Sequence, residues 1–371
     1  MRRLPIPCVL LALLAAPTAQ ADPSRTASIP GVHRYLDNGG IVVTHGGEVL
    51  YGHRSGEAFV PASTLKIATA LAAIEILSLD YRFKTEFYLS PTGDLTLRGY
   101  GDPYLVSEEW PLITRALADT GALPRSIRNL YLDTSAFEAE VEIPGIAKSL
   151  DPYNASNGPL AVNFNTIHVR VEAGGRVRSA ESQTPLTPTA RRLGAKLRRG
   201  KHRINISRDR DVPVRYAGEL AAAFLAQRGH PVTGDISTRP VTAEDRLIYT
   251  HTNSRSLEDV IAAMMEYSNN FIANQLFLVL GLEARGEPAT RAKGAEVLEQ
   301  FLVDEVGLDP GELEVVEGSG ISRQNRITPR ALARVVRAFY PYRHLLTARN
   351  GVQLKTGTLT GVYSLAGFLP S

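Results

Sequence analysis

Three short polar strings constrain this chain more than anything else in its 371 residues. Ser63-Thr64-Leu65-Lys66 lies near the start, Ser268-Asn269-Asn270 well into the second half, and Lys355-Thr356-Gly357 near the end. The first sets a hydroxyl and an amine three residues apart, so on a helix they share one face about one turn apart. A serine is a poor nucleophile until a base takes its proton, and a lysine held beside it can be that base once its ammonium form is destabilised. The last string puts a cation, a hydroxyl and a residue without a side chain in a row. On a β-strand that makes a docking edge for a carboxylate. Singly, each string is ordinary, since Ser and Lys populate exposed helix faces and Ser and Asn populate caps and turns. Used together, they require a fold that brings opposite ends of the chain into one cleft.

The surroundings of Ser63 fit such a use. Pro61-Ala62 precedes it, and Ile67, Ala70, Leu71, Ile74 and Leu77 follow at helical spacing. Ser63 then falls in the first turn, where free N–H groups and the positive helix end favour developing negative charge. Upstream, residues 40–44 and 48–51 flank His45-Gly46-Gly47 and predict a β-hairpin. The order S-x-x-K, S-x-N, K-T-G is the combination found in serine β-lactamases and penicillin-binding proteins.

More specifically, the chain resembles the class C low-molecular-mass penicillin-binding proteins, the D-alanyl-D-alanine carboxypeptidases/endopeptidases. Pro61-Ala62-Ser63-Thr64-Leu65-Lys66 is similar to that family's nucleophile segment, and Gly99-Tyr100-Gly101-Asp102-Pro103 to the G-x-G-D-P that begins its inserted region. The stretch from Glu317 to Asn325, E-G-S-G-I-S-R-Q-N, resembles D-G-S-G-L-S-R-x-N with Glu and Ile substituted. The likeness runs from about Gly40 to the last residue. It implies an α+β fold: a serine β-lactamase/transpeptidase-like domain, an antiparallel sheet with a helical lobe, carrying an inserted β-rich domain.

The resemblance also implies roles. Ser63 would attack the carbonyl of the penultimate residue of a peptidoglycan peptide ending D-Ala-D-Ala, with Lys66 taking its proton. Ser268 would relay a proton to the leaving amine, and Asn270 would orient Lys66 and the substrate amide. Lys355, with Thr356 and Thr358, would engage the terminal carboxylate, and Gly357 would let the strand edge come close. The N–H groups of Ser63 and Thr358 would hold the oxyanion. β-Lactam antibiotics would acylate Ser63 in place of the peptide. Two other readings use the same strings: a β-lactamase or esterase on this fold, and an inactive wall-binding homologue. No cofactor is implied. The eight histidines are scattered, without H-E-x-x-H or paired-ligand spacing, so no metal site is expected.

The start of the chain reads as a secretory signal peptide over 1–21. Arg2 and Arg3 are basic, Val9 to Ala16 is almost wholly apolar, and Ala19-Gln20-Ala21 is a small-x-small cleavage site. A transmembrane anchor fits poorly, because the apolar run is short and Pro17 interrupts its end. Cleavage after Ala21 would give a secreted or periplasmic protein. Cys8, the single cysteine, lies in the leader, so the mature chain would carry no disulfide. Two of the 41 basic residues are Arg2 and Arg3, against 38 acidic ones, so the mature chain is nearly neutral and no nucleic-acid partner is implied. One basic stretch stands out: Arg191, Arg192, Lys196, Arg198, Arg199, Lys201 and Arg203. It reads as a solvated face, with loose attraction to an anionic wall polymer as the functional alternative.

Ser268 comes 202 positions after Lys66, far more than a compact transpeptidase-like lobe needs. The domains expected are therefore 22–82 with 243–371 as the catalytic unit and 83–242 as the insertion. Short alternating stretches at 95–98, 129–133, 166–171 and 202–207, punctuated by Gly, Pro, Asn and Asp, predict an antiparallel β-rich module with one helix over 216–227. Ser256-Leu-Glu-Asp259 predicts a capped helix start, with Ser268 and Asn270 at the break before the next helix. Thr328-Pro329 opens another helix, and two strands surround Thr360-Gly361. The similar proteins continue past the equivalent of Phe368 with another strand and a packed helix, whereas here Leu369-Pro370-Ser371 follows. The expectation is a sheet with an unpaired edge.

Overall fold

The computed structural model describes residues 36–369. Strands β1 (Ile41–His45) and β2 (Glu48–His53) form the expected hairpin, with Gly46 and Gly47 both at positive φ in the turn. A 3₁₀ turn, Ala62–Leu65, runs directly into α1 (Lys66–Leu77). Every residue of α1 from Lys66 to Ile74 is buried, so α1 is a core helix and Lys66 enters the interior with it.

The next stretch alternates strands and helices. It runs β3 (Lys84–Leu89), β4 (Leu95–Gly99), α2 (Trp110–Asp119), β5 (Leu130–Asp133), β6 (Thr166–Val171), β7 (Val177–Ser179), α3 (Pro188–Gly194), β8 (Gly200–Asn205), α4 (Asp211–Gln227), β9 (Ile236–Thr238) and β10 (Arg246–Thr252). The remainder is α5 (Leu257–Glu266), α6 (Asn270–Arg285), α7 (Arg291–Asp304), β11 (Leu313–Glu314), β12 (Arg326–Ile327), α8 (Pro329–Ala338), β13 (Thr347–Arg349), β14 (Val352–Leu359) and β15 (Val362–Phe368).

Two buried apolar clusters organise these elements. One is built on α1, α5, α6, α7 and α8, with the loop residues Ala136, Phe137, Ile143, Ala155 and Ala161 added from within the inserted stretch. The other gathers Phe87, Leu95, Leu97, Trp110, Leu132, Val169, Tyr216 and their neighbours. Around the second lie a five-stranded sheet, β10-β3-β4-β5-β9, and a three-stranded one, β7-β6-β8.

This stretch differs from expectation: it holds three helices, α2, α3 and α4, rather than one over 216–227, and its larger sheet is mixed. That sheet is not wholly antiparallel: β4–β5 and β5–β9 pair parallel. Parallel neighbours need crossover connections. Helix α2 supplies one between β4 and β5, burying Trp110, Ile113 and Leu117, and α4 lies within the other. Its hydrogen bonding also passes residue 242, because β10 pairs with β3.

Outside that stretch, β14 is the central strand of the antiparallel sheet β13-β14-β15, and the β1–β2 hairpin forms a sheet of its own. The outer edge of β15 has no strand partner among the described residues, and Tyr363 and Leu365 on it are 85% and 65% exposed. No helix among the described residues is long and apolar enough to cross a membrane. The leader over 1–21 lies outside the described residues.

Candidate active site

The segment around Ser63 is shaped by tight backbone approaches. Ala62 is fully buried at φ 47, a conformation uncommon for a residue with a side chain, immediately before Ser63. Two glycines permit it. A Cβ on Gly320 would come within 1.8 Å of the Ala62 carbonyl oxygen, and one on Gly357 within 2.8 Å of the Ser63 amide nitrogen. Thr64 Oγ1 donates to the Pro61 carbonyl at 2.7 Å, and Ser364 Oγ on β15 donates to the same oxygen. Strand β14 and the turn around Gly320 thus press directly on the serine.

Lys66 is fully buried and reaches three oxygens: Ser63 Oγ at 2.9 Å, Asn270 Oδ1 at 2.8 Å and the Ser319 carbonyl at 2.7 Å. Its ammonium is pushed down to about 7, first by burial and then by the positive charge of Lys355, while Glu317 opposes both. The contacts give the neutral amine a direction. Asn270 Oδ1 and the Ser319 carbonyl can only accept, so they take its two hydrogens, and its lone pair is left facing the one partner able to donate, the Ser63 hydroxyl. That is the geometry of a general base on a serine.

The second string sits where two helices break. Ser268 has φ 50, and Asn269 caps α6 by accepting from the Ile272 amide at 3.1 Å. Asn270, the first residue of α6, thereby points at Lys66. Lys355 is 3% exposed and donates to Ser268 Oγ at 2.7 Å and to the Thr356 carbonyl at 2.9 Å. Burial, and then the charge of Arg349, lowers it to about 8. Ser63 and Asn270 are therefore hydrogen-bonded to Lys66, Ser268 is hydrogen-bonded to Lys355, and the two sets are linked by the charge of Lys355 acting on Lys66.

Thr356 and Thr358 stand differently. Along β14, Lys355 and Gly357 are buried while Thr356 and Thr358 are exposed, the period-two alternation of a strand. Thr356 meets Lys355 through its carbonyl, and both threonines lie on the exposed face of the strand. Three site groups carried no chemical reading in the sequence: Glu317, Ser319 and Asn274, all buried beneath Lys66. Their signal was the Glu-Gly-Ser-Gly string, visible only as a likeness. Among the described residues no three His, Cys, Asp or Glu side chains gather as a metal-binding group.

The family model for the D-Ala-D-Ala carboxypeptidase 3 (S13) family matches residues 34–191 and 193–350. The chain belongs to this family. The serine-type carboxypeptidases of the S13 family thus include it, and the matched residues contain Ser63, Lys66, Ser268 and Asn270, with Lys355 to Thr358 just beyond them. A D-alanyl-D-alanine carboxypeptidase of Actinomadura sp. (strain R39) is 26% identical over 429 residues, covering 94% of this chain and 76% of the relative. The D-alanyl-D-alanine carboxypeptidase DacB of Haemophilus influenzae is 25% identical over 385 residues, covering 87% and 80%. The crystal structure of penicillin-binding protein 4 (dacB) from Haemophilus influenzae superposes with a TM-score of 0.70 at 20% identity, covering 87% of this chain and 84% of that one. A second structure of that protein, complexed with a β-lactam, gives a TM-score of 0.65. This S13 chain has the α+β transpeptidase-like fold of those structures.

Proposed function

We propose that this protein cleaves peptidoglycan peptides ending in D-Ala-D-Ala through an acyl-enzyme on Ser63, as a carboxypeptidase/endopeptidase, and that β-lactams inactivate it by acylating the same oxygen. The observation that carries this reading is the contact set of Lys66, which leaves a buried amine lone pair facing the Ser63 hydroxyl.

In the first step Ser63 Oγ bonds to the carbonyl carbon of the penultimate D-Ala and its proton passes to Lys66. The oxyanion is held by the backbone N–H groups of Ser63 and Thr358. In the second step the C–N bond breaks and the leaving amine takes a proton through Ser268, whose oxygen is held by Lys355. Lys355 also faces the terminal carboxylate of the substrate, with Thr356 and Thr358 at the solvent side of the strand. Water then cleaves the ester and frees Ser63. With a β-lactam the expelled nitrogen remains tethered to the acyl group, so water enters poorly and the ester persists. A leader over 1–21 places this activity outside the cytoplasm, where the substrate is.

The test is covalent labelling. A fluorescent penicillin should label the protein one-to-one, with the adduct on Ser63 by mass spectrometry, and Ser63→Ala should abolish labelling while melting like the parent. An adduct elsewhere, or none, refutes the assignment. Rapid turnover of the β-lactam would point instead to a β-lactamase.

A further inference from the structure

Glu317 is a fully buried carboxylate with no cation in ion-pair contact among the described residues. Burying a charge without a counter-ion is costly, so this arrangement calls for a use. Its oxygens are held by uncharged donors alone. Oε2 accepts from the Ser319 amide at 2.8 Å and the Ser319 hydroxyl at 2.6 Å; Oε1 accepts from the Ser322 amide at 3.2 Å and from Asn325 Nδ2. The same turn is anchored to the helices beneath it: Gly318 N–H donates to Asn274 Oδ1 at 2.8 Å, and Thr69 Oγ1 donates to the Gly318 carbonyl at 2.7 Å. The product of this clamping is the Ser319 carbonyl, set 2.7 Å from Lys66 Nζ.

We propose that Glu317 is a positioning residue for acylation: it holds the Ser319 carbonyl on Lys66 and supplies the negative charge that balances Lys355 across the amine. This rests on the reading of Lys66 as the base for Ser63. The groups facing Lys66 are Ser63 from the nucleophile turn, Asn270 from α6, Ser319 and Glu317 from the turn, and Lys355 from β14. Of these only Glu317 and Lys355 carry charge, and with opposite sign. Burial and Lys355 favour the neutral amine, which can accept a proton. Glu317 favours the ammonium that forms once the proton has moved, as the aspartate of a Ser-His-Asp triad favours its imidazolium. One charge prepares the base, and the other stabilises the proton after transfer.

The experiment is the pH dependence of the acylation rate of the full mature chain with a chromogenic β-lactam, for wild type, Glu317→Gln and Glu317→Asp. Glutamine removes the charge, so Lys66 loses its proton more readily. The rising limb should move about one pH unit lower, and the plateau should fall about ten-fold as the base weakens. Aspartate keeps the charge on a shorter arm, so its limb should stay within a few tenths of a unit of wild type while the plateau falls only in part. A folded Glu317→Gln whose limb does not move, or a Glu317→Asp limb that moves as far, overturns the proposal. If Glu317→Gln does not melt cooperatively, Glu317→Asp decides alone: a lowered plateau with the limb held supports the proposal, and any other pattern overturns it. Absence of a Ser63 adduct in wild type overturns the acyl-enzyme reading as well, whereas an adduct whose limb ignores Glu317 overturns only this inference.

Discussion

Lys66 and Lys355 come from opposite ends of the chain, are both buried and act on each other through their charges, whereas Arg191, Arg192, Lys196, Arg198, Arg199, Lys201 and Arg203 crowd one short stretch and are all exposed. Arg191 and Arg192 stand in the last turn of α3, where their charges suit the helix dipole. That helix packs its Gly194 against Val169 and Val177, so it covers the inner face of the β7-β6-β8 sheet. Lys201 and Arg203 stand on the other face, beside Arg170 and His168, and Arg203 is paired with Glu181. The cations of this stretch are therefore divided between α3, the residues just after it and the opposite face of the sheet, and all of them keep their water. What gives a cation chemistry here is loss of water and the company of a second cation.

The sharpest break of that comparison is removal of the proposed base, Lys66. Lys66→Ala should lower the acylation rate on the order of 10³-fold, read by fluorescent penicillin labelling, while a protein with Arg191 and Arg192 reversed to Glu labels like the parent. A Lys66→Ala rate within ten-fold of wild type would show that the buried amine is not the base.

Lys355 gives the next largest effect. Deleting its charge removes a repulsion that disfavours the Lys66 ammonium, so Lys66 holds its proton to higher pH. Lys355→Ala should move the rising limb of acylation up by about one pH unit, opposite in sign to Glu317→Gln. It should also slow a carboxylate-bearing acyl donor more than one lacking the carboxylate. A limb unmoved with both donors would leave Lys355 as a carboxylate anchor alone.

The same burial should be visible in stability. Lys66 titrates near about 7 in the fold and near ~10.4 in the unfolded chain. Between those values the unfolded state binds more protons, so this lysine makes the fold less stable as pH falls from ~10.4 to 7 and adds no further slope below. Lys66→Met lacks that slope. The stability of the methionine variant relative to wild type should therefore improve by a few kcal/mol on going from pH 10 to pH 7, measured by urea unfolding. A difference independent of pH would mean that Lys66 keeps its proton throughout.

Local signals were legible in the sequence, and pairings were not. The hairpin at 41–53, the capping box of Ser256 and Asp259, and the Thr328 cap before Pro329 each depend on a few neighbouring residues, and each stands in the structure. The Ser63–Lys66 contact follows from helical spacing alone. The parallel pairing of β4 with β5 does not, because it depends on where α2 carries the chain. Helix α2 itself is masked by Trp110-Pro111 at its start, although its buried residues are helically spaced. Glu317 stands out in the sequence only through the likeness of its string, since nothing local reports that α6 and the Lys66 amine bond to the Gly318-Ser319 turn beside it. The outward side chains of Thr356 and Thr358 follow from strand alternation, which a string read as a unit conceals.

The smallest effect belongs to the exposed cations. Arg178, Arg170 and Lys201 lie directly opposite one another across β7, β6 and β8. Arg178 has a partner in Glu172 at 2.8 Å, whereas no acid pairs with Arg170 or Lys201 among the described residues. Like charges facing each other across strands cost stability, and opposite charges restore it. Lys201→Glu turns one repulsion into an attraction, so it should raise stability by about 0.5 kcal/mol. The gain should shrink as salt rises, because exposed charges are screened. Acylation of Ser63 should keep its rate and its pH limb, since this face contributes no group to the Lys66 network. A loss of stability, or a gain unchanged in high salt, would mean that the row is held by something other than its charges. A shifted limb would mean that the two sets of cations are coupled after all.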